Sequence, residues 1–191
     1  MLAERAVPRL RFWSLDGVDA ELARELVVRV SRNFAVPCQL ADARPELVLR
    51  WIDGRPQVDA RTLLEGLERD AGDEGDAHVG VIDRDLAIPV FTHVFGLARH
   101  HGHTAVISLT RLRPEFYGLP ADPETTLRRA VRETTHELGH VFGLEHCDDF
   151  ECIMHFAPDV ENIDLRGAYF CADCLERLPR GVAHARPLRD A

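Results

Sequence analysis

Lysine is absent from this chain, because all 23 basic residues are arginine. A lysine amine is required for Schiff-base catalysis, for covalent attachment of pyridoxal phosphate and for the phosphate-binding loop of P-loop nucleotide hydrolases. The sequence therefore excludes these three kinds of chemistry.

An excess of positive charge is also lacking. The 23 basic residues stand against 32 acidic ones, which gives a formal net charge of -9. This balance opposes broad binding to nucleic acid or to an anionic membrane surface. No stretch approaches the roughly 18 apolar residues that a membrane span needs, and the charged N-terminal residues do not resemble a secretory signal. We therefore expect a cytoplasmic protein that binds neither nucleic acid nor membrane.

Cysteine is scarce outside one short segment. Of the five cysteines, four lie between Cys147 and Cys174, and the fifth is Cys38. Disulfides are rare in the cytoplasm, so we interpret the clustered cysteines first as thiols or metal ligands. Cys38 is most simply a small buried apolar residue.

The hydrophobic pattern predicts an α/β domain. A chain of 191 residues with 46% hydrophobic residues fits one globular domain, 1–191. Apolar runs predict strands, and apolar residues at helical spacing predict two helices. The predicted strands are 9–15, 47–52, 78–82, 94–98 and 105–109, and the two helices are 18–34 and 58–69.

A third helix begins at Asp122-Pro123, where aspartate can cap the first free N–H groups and proline occupies the first helical position. It should end at Gly143, a favourable residue at a helix C-terminus. Beyond this point acidic residues, cysteines and turn residues dominate. We therefore predict an N-terminal lobe, 1–143, and a smaller C-terminal lobe, 144–191, that is held together by a bound metal ion.

The third helix carries the motif that indicates chemistry. His136 and His140 are four residues apart, so both imidazoles project from one helix face and can hold one Zn²⁺ at about 2.0–2.1 Å. Gly143 allows a sharp turn that brings His146 towards the same ion. Three nitrogen ligands leave a fourth position open for water, which is typical of a catalytic zinc, and Glu137 is placed to take a proton from that water.

This pattern, HExxHxxGxxH, is specific. Its five fixed positions should arise by chance on the order of once in ten thousand chains of this composition. The alternative is an ordinary core helix with satisfied histidines. Packing alone gives no reason for three histidines and a glutamate at the end of one amphipathic helix.

The four clustered cysteines form a second candidate site. Cys171 and Cys174 are separated by two residues, a common half of a tetrahedral thiolate site, and Cys147 and Cys152 supply the other half. We predict a closed structural zinc. One alternative is a zinc knuckle that binds nucleic acid, but this segment holds seven acidic residues and one basic residue, Arg166. The other alternative is four unrelated buried thiols.

Met154, the only methionine besides Met1, lies between the two cysteine pairs. With this residue the sequence resembles the archaemetzincins, a branch of the metzincin zinc peptidases, which share HExxHxxGxxH followed by a methionine turn below the metal. The resemblance implies that the three motif histidines bind a catalytic zinc, Glu137 acts as general base and then acid, Met154 is the turn methionine, and the four cysteines hold a second zinc. It also implies a mixed, mostly parallel five-stranded sheet with two packed helices and an active-site helix.

The resemblance extends upstream, where residues 94–98 and 107–112 look like the family's upper edge strand and the strand after it. One departure is small: the gap from Met154 to Cys171 is 16 residues, one shorter than the family pattern. We expect this to affect the conformation of the loop and not the ligands.

Further polar residues have simpler interpretations. His100, His101 and His103 occupy a predicted hairpin turn, where exposure to solvent is the simpler expectation. His155 and Tyr117 are candidates for a hydrogen bond to a developing oxyanion, but neither is favoured by the sequence.

The sequence therefore predicts a zinc-dependent peptidase with two zinc ions per chain and a peptide or protein as substrate. We also expect an extended peptide to add as a strand beside residues 94–98. The alternative function is a catalytically silent zinc-binding or peptide-binding protein that keeps the fold. Glu137 disfavours it, because a pure binder has no need of that carboxylate. A nucleic-acid module is disfavoured by the charge of the chain.

Overall fold

The structure, a computed structural model, describes residues 8–41, 47–71 and 75–183. A five-stranded sheet and a two-stranded sheet form its centre. The strands are β1 (Leu10–Ser14), β2 (Cys38–Leu40), β3 (Val58–Asp59), β4 (Ala77–Ile82), β5 (Leu86–Ala87), β6 (Gly96–Ala98) and β7 (Thr104–Ser108).

The larger sheet has the order β2-β1-β4-β7-β6. Its first three pairings are parallel, and β6 pairs antiparallel with β7 at one edge. Every residue of β4 and β7 is buried, as expected for strands that are covered on both faces. The prediction of a mixed, mostly parallel five-stranded sheet is confirmed.

The residues that the structure describes form five α-helices: α1 (Ala20–Val30), α2 (Ala60–Ala71), α3 (Pro123–Val141), α4 (Val160–Leu165) and α5 (Ala172–Arg177). α2 packs in one apolar cluster with Ile82 and Val106, whereas α1 and α3 share another with Val81 and Ile107. Because neighbouring strand residues point to opposite faces, α2 covers one face of the sheet and α1 and α3 cover the other.

One predicted strand is absent, and one strand of the large sheet was not predicted. Residues 47–52 do not form a strand, because in this stretch only Trp51 forms an isolated bridge, to Val58, and the Val48 side chain is 84% exposed. The fifth strand of the large sheet is instead β2, which the sequence analysis missed. Three residues are too few to produce a periodic signal, and β2 is recognisable only by its parallel pairing with β1.

Other predicted elements are present with shifted ends. The first helix begins at Ala20 because Asp19 accepts hydrogen bonds from the N–H groups of Glu21 and Leu22. The predicted strand at 94–98 is shortened to β6, and the predicted helix at 58–69 begins at Ala60 after the short strand β3. The first predicted strand matches β1 within one residue at each end.

The segment after α3 is held together by short helices and isolated contacts. Cys152 forms a parallel bridge with Tyr169, and the N–H of Ile153 donates to the Tyr169 carbonyl at 2.8 Å. The Arg129 guanidinium on α3 donates to the Asp164 carboxylate at 2.6 Å, which ties α4 to α3. The buried side chains of Ile153 and Met154 belong to the same apolar cluster as α1 and α3.

Among the helices within the described ranges, none is both long enough and apolar enough for a membrane span.

Candidate metal centres and the adjoining cavity

Helix α3 brings the first two motif histidines together. The Asp122 side chain accepts a hydrogen bond from the N–H of Thr125 at 3.1 Å, and Pro123 follows at the first helical position, as predicted. Near the other end, the Nε2 atoms of His136 and His140 lie 3.1 Å apart. The four-residue spacing therefore places both imidazoles on one face, as the sequence indicated.

The chain then turns so that His146 approaches the same point. Gly143 has a φ of 92°, a left-handed conformation that favours glycine, and it directs the chain away from the helix axis. The His146 ring lies 5.3 Å from the His136 ring and 4.9 Å from the His140 ring, measured between centroids. One ligand atom from each of the three histidines lies within 4.8 Å of the other two.

Main-chain carbonyls contact two of these imidazoles. Nδ1 of His136 lies 2.9 Å from the Ile153 carbonyl oxygen, and Nδ1 of His140 lies 2.7 Å from that of Leu144. Because a carbonyl oxygen can only accept, each of these contacts favours a proton on Nδ1. At His136 the Arg166 guanidinium, which can only donate, lies 3.2 Å from the same Nδ1 and favours the opposite tautomer. With Nδ1 protonated on both rings, as metal binding through Nε2 requires, the two Nε2 lone pairs face each other across 3.1 Å.

The three nitrogens suit a zinc ion. Facing lone pairs repel unless a cation lies between them, and a tetrahedral zinc with nitrogens at 2.0–2.1 Å would hold each pair about 3.3–3.4 Å apart. Burial lowers the pKa of His136 well below its usual value, and the nearby Arg166 charge lowers it further. Burial also lowers the pKa of His140 and of His146. Neutral imidazoles are the form that binds a metal.

Glu137 is buried beside these histidines, with 6% of its surface exposed. Burial raises the pKa of its carboxyl well above the usual value, the Glu133 charge raises it further, and Arg166 opposes this effect. A divalent cation at the histidines would act in the same direction as Arg166, because a nearby positive charge favours the carboxylate.

A buried ion pair lies on the same side of α3 as Glu137. Arg166 is 1% exposed and donates to the Glu133 carboxylate at 2.6 Å, while its other terminal nitrogen donates to the His155 carbonyl at 3.3 Å. The sequence analysis missed both members of this pair. Arg166 was conspicuous as the single basic residue between the cysteines, but its partner is 33 residues away in sequence.

Met154 packs directly against α3, where its sulfur and methyl group face Gly139. A Cβ atom at Gly139 would overlap the Met154 sulfur and lie 3.0 Å from its Cε. The Met154 carbonyl accepts a hydrogen bond from the N–H of Cys147 at 3.0 Å. Met154 therefore packs against α3 at the residue before His140, and its carbonyl is hydrogen-bonded to the residue that follows His146.

The four clustered cysteines meet at one point. Their sulfurs lie within 4.8 Å of one another, with 3.9 Å between Cys147 and Cys171 and 3.7 Å between Cys152 and Cys174. A tetrahedral zinc with sulfurs at 2.3 Å would hold each pair about 3.8 Å apart. The N–H groups of Met154 and Cys171 each lie 3.4 Å from the Cys152 sulfur.

These sulfurs suit a closed metal site. Burial raises the pKa of the Cys152 thiol to about 11 and also raises that of Cys174. A zinc ion would reverse this preference, because coordination deprotonates a thiol. Cys38 does not belong to this group: it lies in β2, where burial raises the pKa of its thiol to about 12.

A cavity of about 380 Å³ opens beside the histidines. It lies between α3, the edge strand β6 and the segment after the methionine turn. Its lining includes Glu133, His136, Glu137, His140, His146, Arg166, residues 91–98 and residues 156–158. His93, which the sequence analysis did not single out, is part of this lining.

The other polar candidates lie elsewhere. The His155 ring nitrogen Nδ1 lies 3.0 Å from the Cys147 carbonyl oxygen, and the Tyr117 hydroxyl donates to the Arg111 carbonyl at 3.0 Å. Neither belongs to the cavity lining. The N–H of His101 donates to the His140 carbonyl at 3.2 Å, so the hairpin turn packs against the end of α3.

The model of peptidase family M54 matches residues 56–180. The archaemetzincin of Methanocaldococcus jannaschii is 43% identical over 177 residues, which are 92% of this chain and 96% of that protein. The archaemetzincin of Thermococcus kodakarensis is 44% identical over 106 residues, which are 56% of this chain and 57% of that protein.

The fold resembles that of a solved zinc-dependent peptidase from Methanocorpusculum labreanum. The TM-score is 0.80 at 29% sequence identity, and the match covers 89% of this chain and all of that one. The alignment with the Thermococcus protein spans little more than half of that relative's length.

Proposed function

The chain belongs to peptidase family M54, and from this premise we propose that it is a zinc-dependent peptidase that hydrolyses peptide bonds in a peptide or protein substrate. The observation that carries the proposal is the arrangement of Glu137 beside three converging imidazoles at the wall of one cavity.

We propose that His136, His140 and His146 hold one zinc ion and that Cys147, Cys152, Cys171 and Cys174 hold a second. The grouping of the donor atoms within 4.8 Å in each set, with 3.1 Å between one pair of nitrogens and 3.7 and 3.9 Å between two pairs of sulfurs, supports this assignment. At the histidines, a bound zinc would polarise the substrate carbonyl and lower the pKa of water. At the cysteines its role would be structural, because four thiolates leave no position for substrate.

Glu137 would move the protons of the reaction. Its carboxylate takes one proton from the attacking water as the water oxygen bonds to the scissile carbonyl carbon. The same carboxyl group then gives that proton to the leaving amine nitrogen as the carbon–nitrogen bond breaks. Burial raises the pKa of this carboxyl group, whereas the Arg166 charge lowers it and a zinc ion at the histidines would lower it further, so the bound metal would favour the carboxylate that accepts the first proton.

The edge strand β6 would align the substrate. The Ser108 N–H donates to the Phe95 carbonyl and the Arg99 N–H donates to the Thr104 carbonyl, both at 2.8 Å. In an antiparallel ladder, alternate residues of a strand bond to the same neighbour. Because Phe95 and Arg99 bond to β7, Gly96 and Ala98 direct their main-chain groups away from β7. These groups are available to an extended peptide, which would add as a further antiparallel or parallel strand beside the cavity.

The proposal is tested by changing Glu137 to glutamine. The amide keeps the volume and leaves the three imidazoles in place, so the zinc content should stay the same. An amide cannot take up and return the proton, so kcat should fall by about 10² to 10⁴ with little change in KM. Both constants are measured with a quenched fluorescent peptide library, with zinc content measured on the same samples.

Glu176→Gln provides the matched control, because it makes the same chemical change at an exposed residue of α5. The control should cleave as the wild type does. A Glu137→Gln protein that retains zinc and full activity would refute the proton-transfer role. A fully metallated wild type that cleaves no peptide in the library would instead favour the silent binding protein.

A further inference from the structure

Gly96 in the edge strand β6 lies in contact with Glu137. A Cβ atom built at Gly96 would lie 2.7 Å from both Cγ and Oε1 of Glu137 and 2.9 Å from Cδ. Carbon atoms do not approach each other this closely, so even the smallest side chain at position 96 would displace the glutamate. The contact involves the backbone of a sheet strand, which cannot rotate away as a side chain can.

The backbone conformation does not by itself require glycine at this position. Six described glycines have a positive φ, and Gly96 is not among them. Glycine inside a strand normally weakens it, and it often marks a place where another group approaches the backbone closely. At Gly96 that group is the Glu137 side chain.

The register of β6 explains why Gly96 faces α3. Gly96 is opposite Ile107, which packs in the apolar cluster of α3, whereas Leu97 packs in the cluster of α2 on the other face. Ala98 also packs against the α3 cluster. The face of β6 that carries Gly96 is therefore the face turned towards α3 and Glu137.

We propose that Gly96 is a positioning residue: its missing side chain creates the space that holds the Glu137 carboxylate flat against the edge strand. The functional part of this inference rests on the proposed peptidase activity. Because the main-chain groups of Gly96 also face the predicted substrate position, the same residue sets the separation between the proton-transferring carboxylate and the peptide beside β6. An alanine there would move the carboxylate and leave the metal-binding imidazoles in place.

The inference is tested first by thermal unfolding of four proteins: wild type, Gly96→Ala, Glu137→Ala and the double variant. Alanine is the better strand residue, so without an overlap Gly96→Ala should raise the melting temperature. We expect it to lower the melting temperature when Glu137 is present. In the Glu137→Ala background, where Cγ, Cδ and Oε1 are gone, the same change should have no effect or a stabilising one.

Kinetics test the functional consequence in the zinc-loaded protein. A displacement of about 1 Å at a reacting group can cost roughly 10²-fold in rate. We therefore expect Gly96→Ala to lower kcat by about 10- to 100-fold, with KM within about twofold of the wild type and zinc content unchanged. Gly66→Ala is the control, because it adds a methyl group within α2, where the nearest atom is a flexible Leu47 methyl at 3.3 Å.

The outcomes are distinct. An equal change in melting temperature in both backgrounds, or a Gly96→Ala protein with wild-type kcat, would overturn the inference. If Gly96→Ala fails to fold, folding of the double variant supports the inference, and failure of both refutes it. If the wild type cleaves no peptide, the proposed function fails, and the unfolding comparison alone decides whether Gly96 makes room for Glu137.

Discussion

Arg166 places a full positive charge in the interior, with 1% of its side chain exposed. Its charge is balanced by Glu133 at 2.6 Å, whose side chain is 7% exposed. Removing one member of a buried pair leaves the other charge without a partner or water. Arg166→Ala should therefore lower the free energy of unfolding by about 3–5 kcal/mol, measured by urea unfolding at a fixed zinc concentration.

Arg84 offers the matched control for this prediction. It donates to the Asp16 carboxylate at 2.7 Å, but the two side chains are 44% and 48% exposed. Because solvent screens an exposed pair, Arg84→Ala should cost only about 0–1 kcal/mol. An equal decrease in the free energy of unfolding for the two variants would contradict the prediction that the buried Glu133–Arg166 pair stabilises the fold more than an exposed pair does.

At the scale of the element, the active-site helix was the most predictable part of the molecule. Its start follows from Asp122 and Pro123, and its histidine spacing fixes which residues share a face. The four cysteines were predictable for a similar reason, since each pair is close in sequence. β2 was not predictable, because three residues are stabilised by pairing with β1 and carry no pattern of their own.

The functional contacts that sequence reasoning missed are all long-range. Glu133 and Arg166 meet only because α4 is folded back onto α3. The contact of Gly96 with Glu137 depends on how β6 packs against that helix. Neither contact has a period or a local motif, so a single sequence gives no signal for it.

A substitution at one of the four clustered cysteines should affect the whole segment from His146 to Cys174. Cys147 directly follows His146, its N–H is bonded to the Met154 carbonyl, and its sulfur lies near that of Cys171. Cys171→Ser should therefore reduce zinc from two ions to one per chain, and lower the melting temperature and the peptidase activity together. Metal analysis, thermal unfolding and peptide cleavage on the same sample check this.

Cys38→Ser makes the same substitution outside this element. Cys38 lies in β2, and its sulfur lies 3.5 Å from the Val36 carbonyl oxygen. This variant should keep two zinc ions and full activity, with a change in melting temperature of no more than a few degrees. An unchanged melting temperature in Cys171→Ser would show that the cysteines do not stabilise the segment through a metal.

At the scale of the whole molecule, the two candidate metal centres differ in how they are enclosed. The cysteine group includes the buried Cys152 and Cys174, and its four sulfurs, which lie within 4.8 Å of one another, are enough ligands for a four-coordinate zinc. The histidine group supplies three ligands beside a cavity of about 380 Å³, and His146 is exposed. A chelator can therefore reach a metal at the histidines more easily than one at the cysteines.

This difference predicts the order in which zinc is lost. The purified protein should contain two zinc ions per chain, and a chelator should remove the first with loss of activity but little change in the melting temperature. Release of the second should lower the melting temperature strongly, because binding to a closed thiolate site is coupled to folding. A zinc-sensitive dye, peptide cleavage and thermal unfolding, followed over the same chelator titration, separate the two steps. Adding zinc back after the first step should restore activity without refolding. A single zinc per chain with four freely titratable clustered thiols, or loss of structure before loss of activity, would contradict this order.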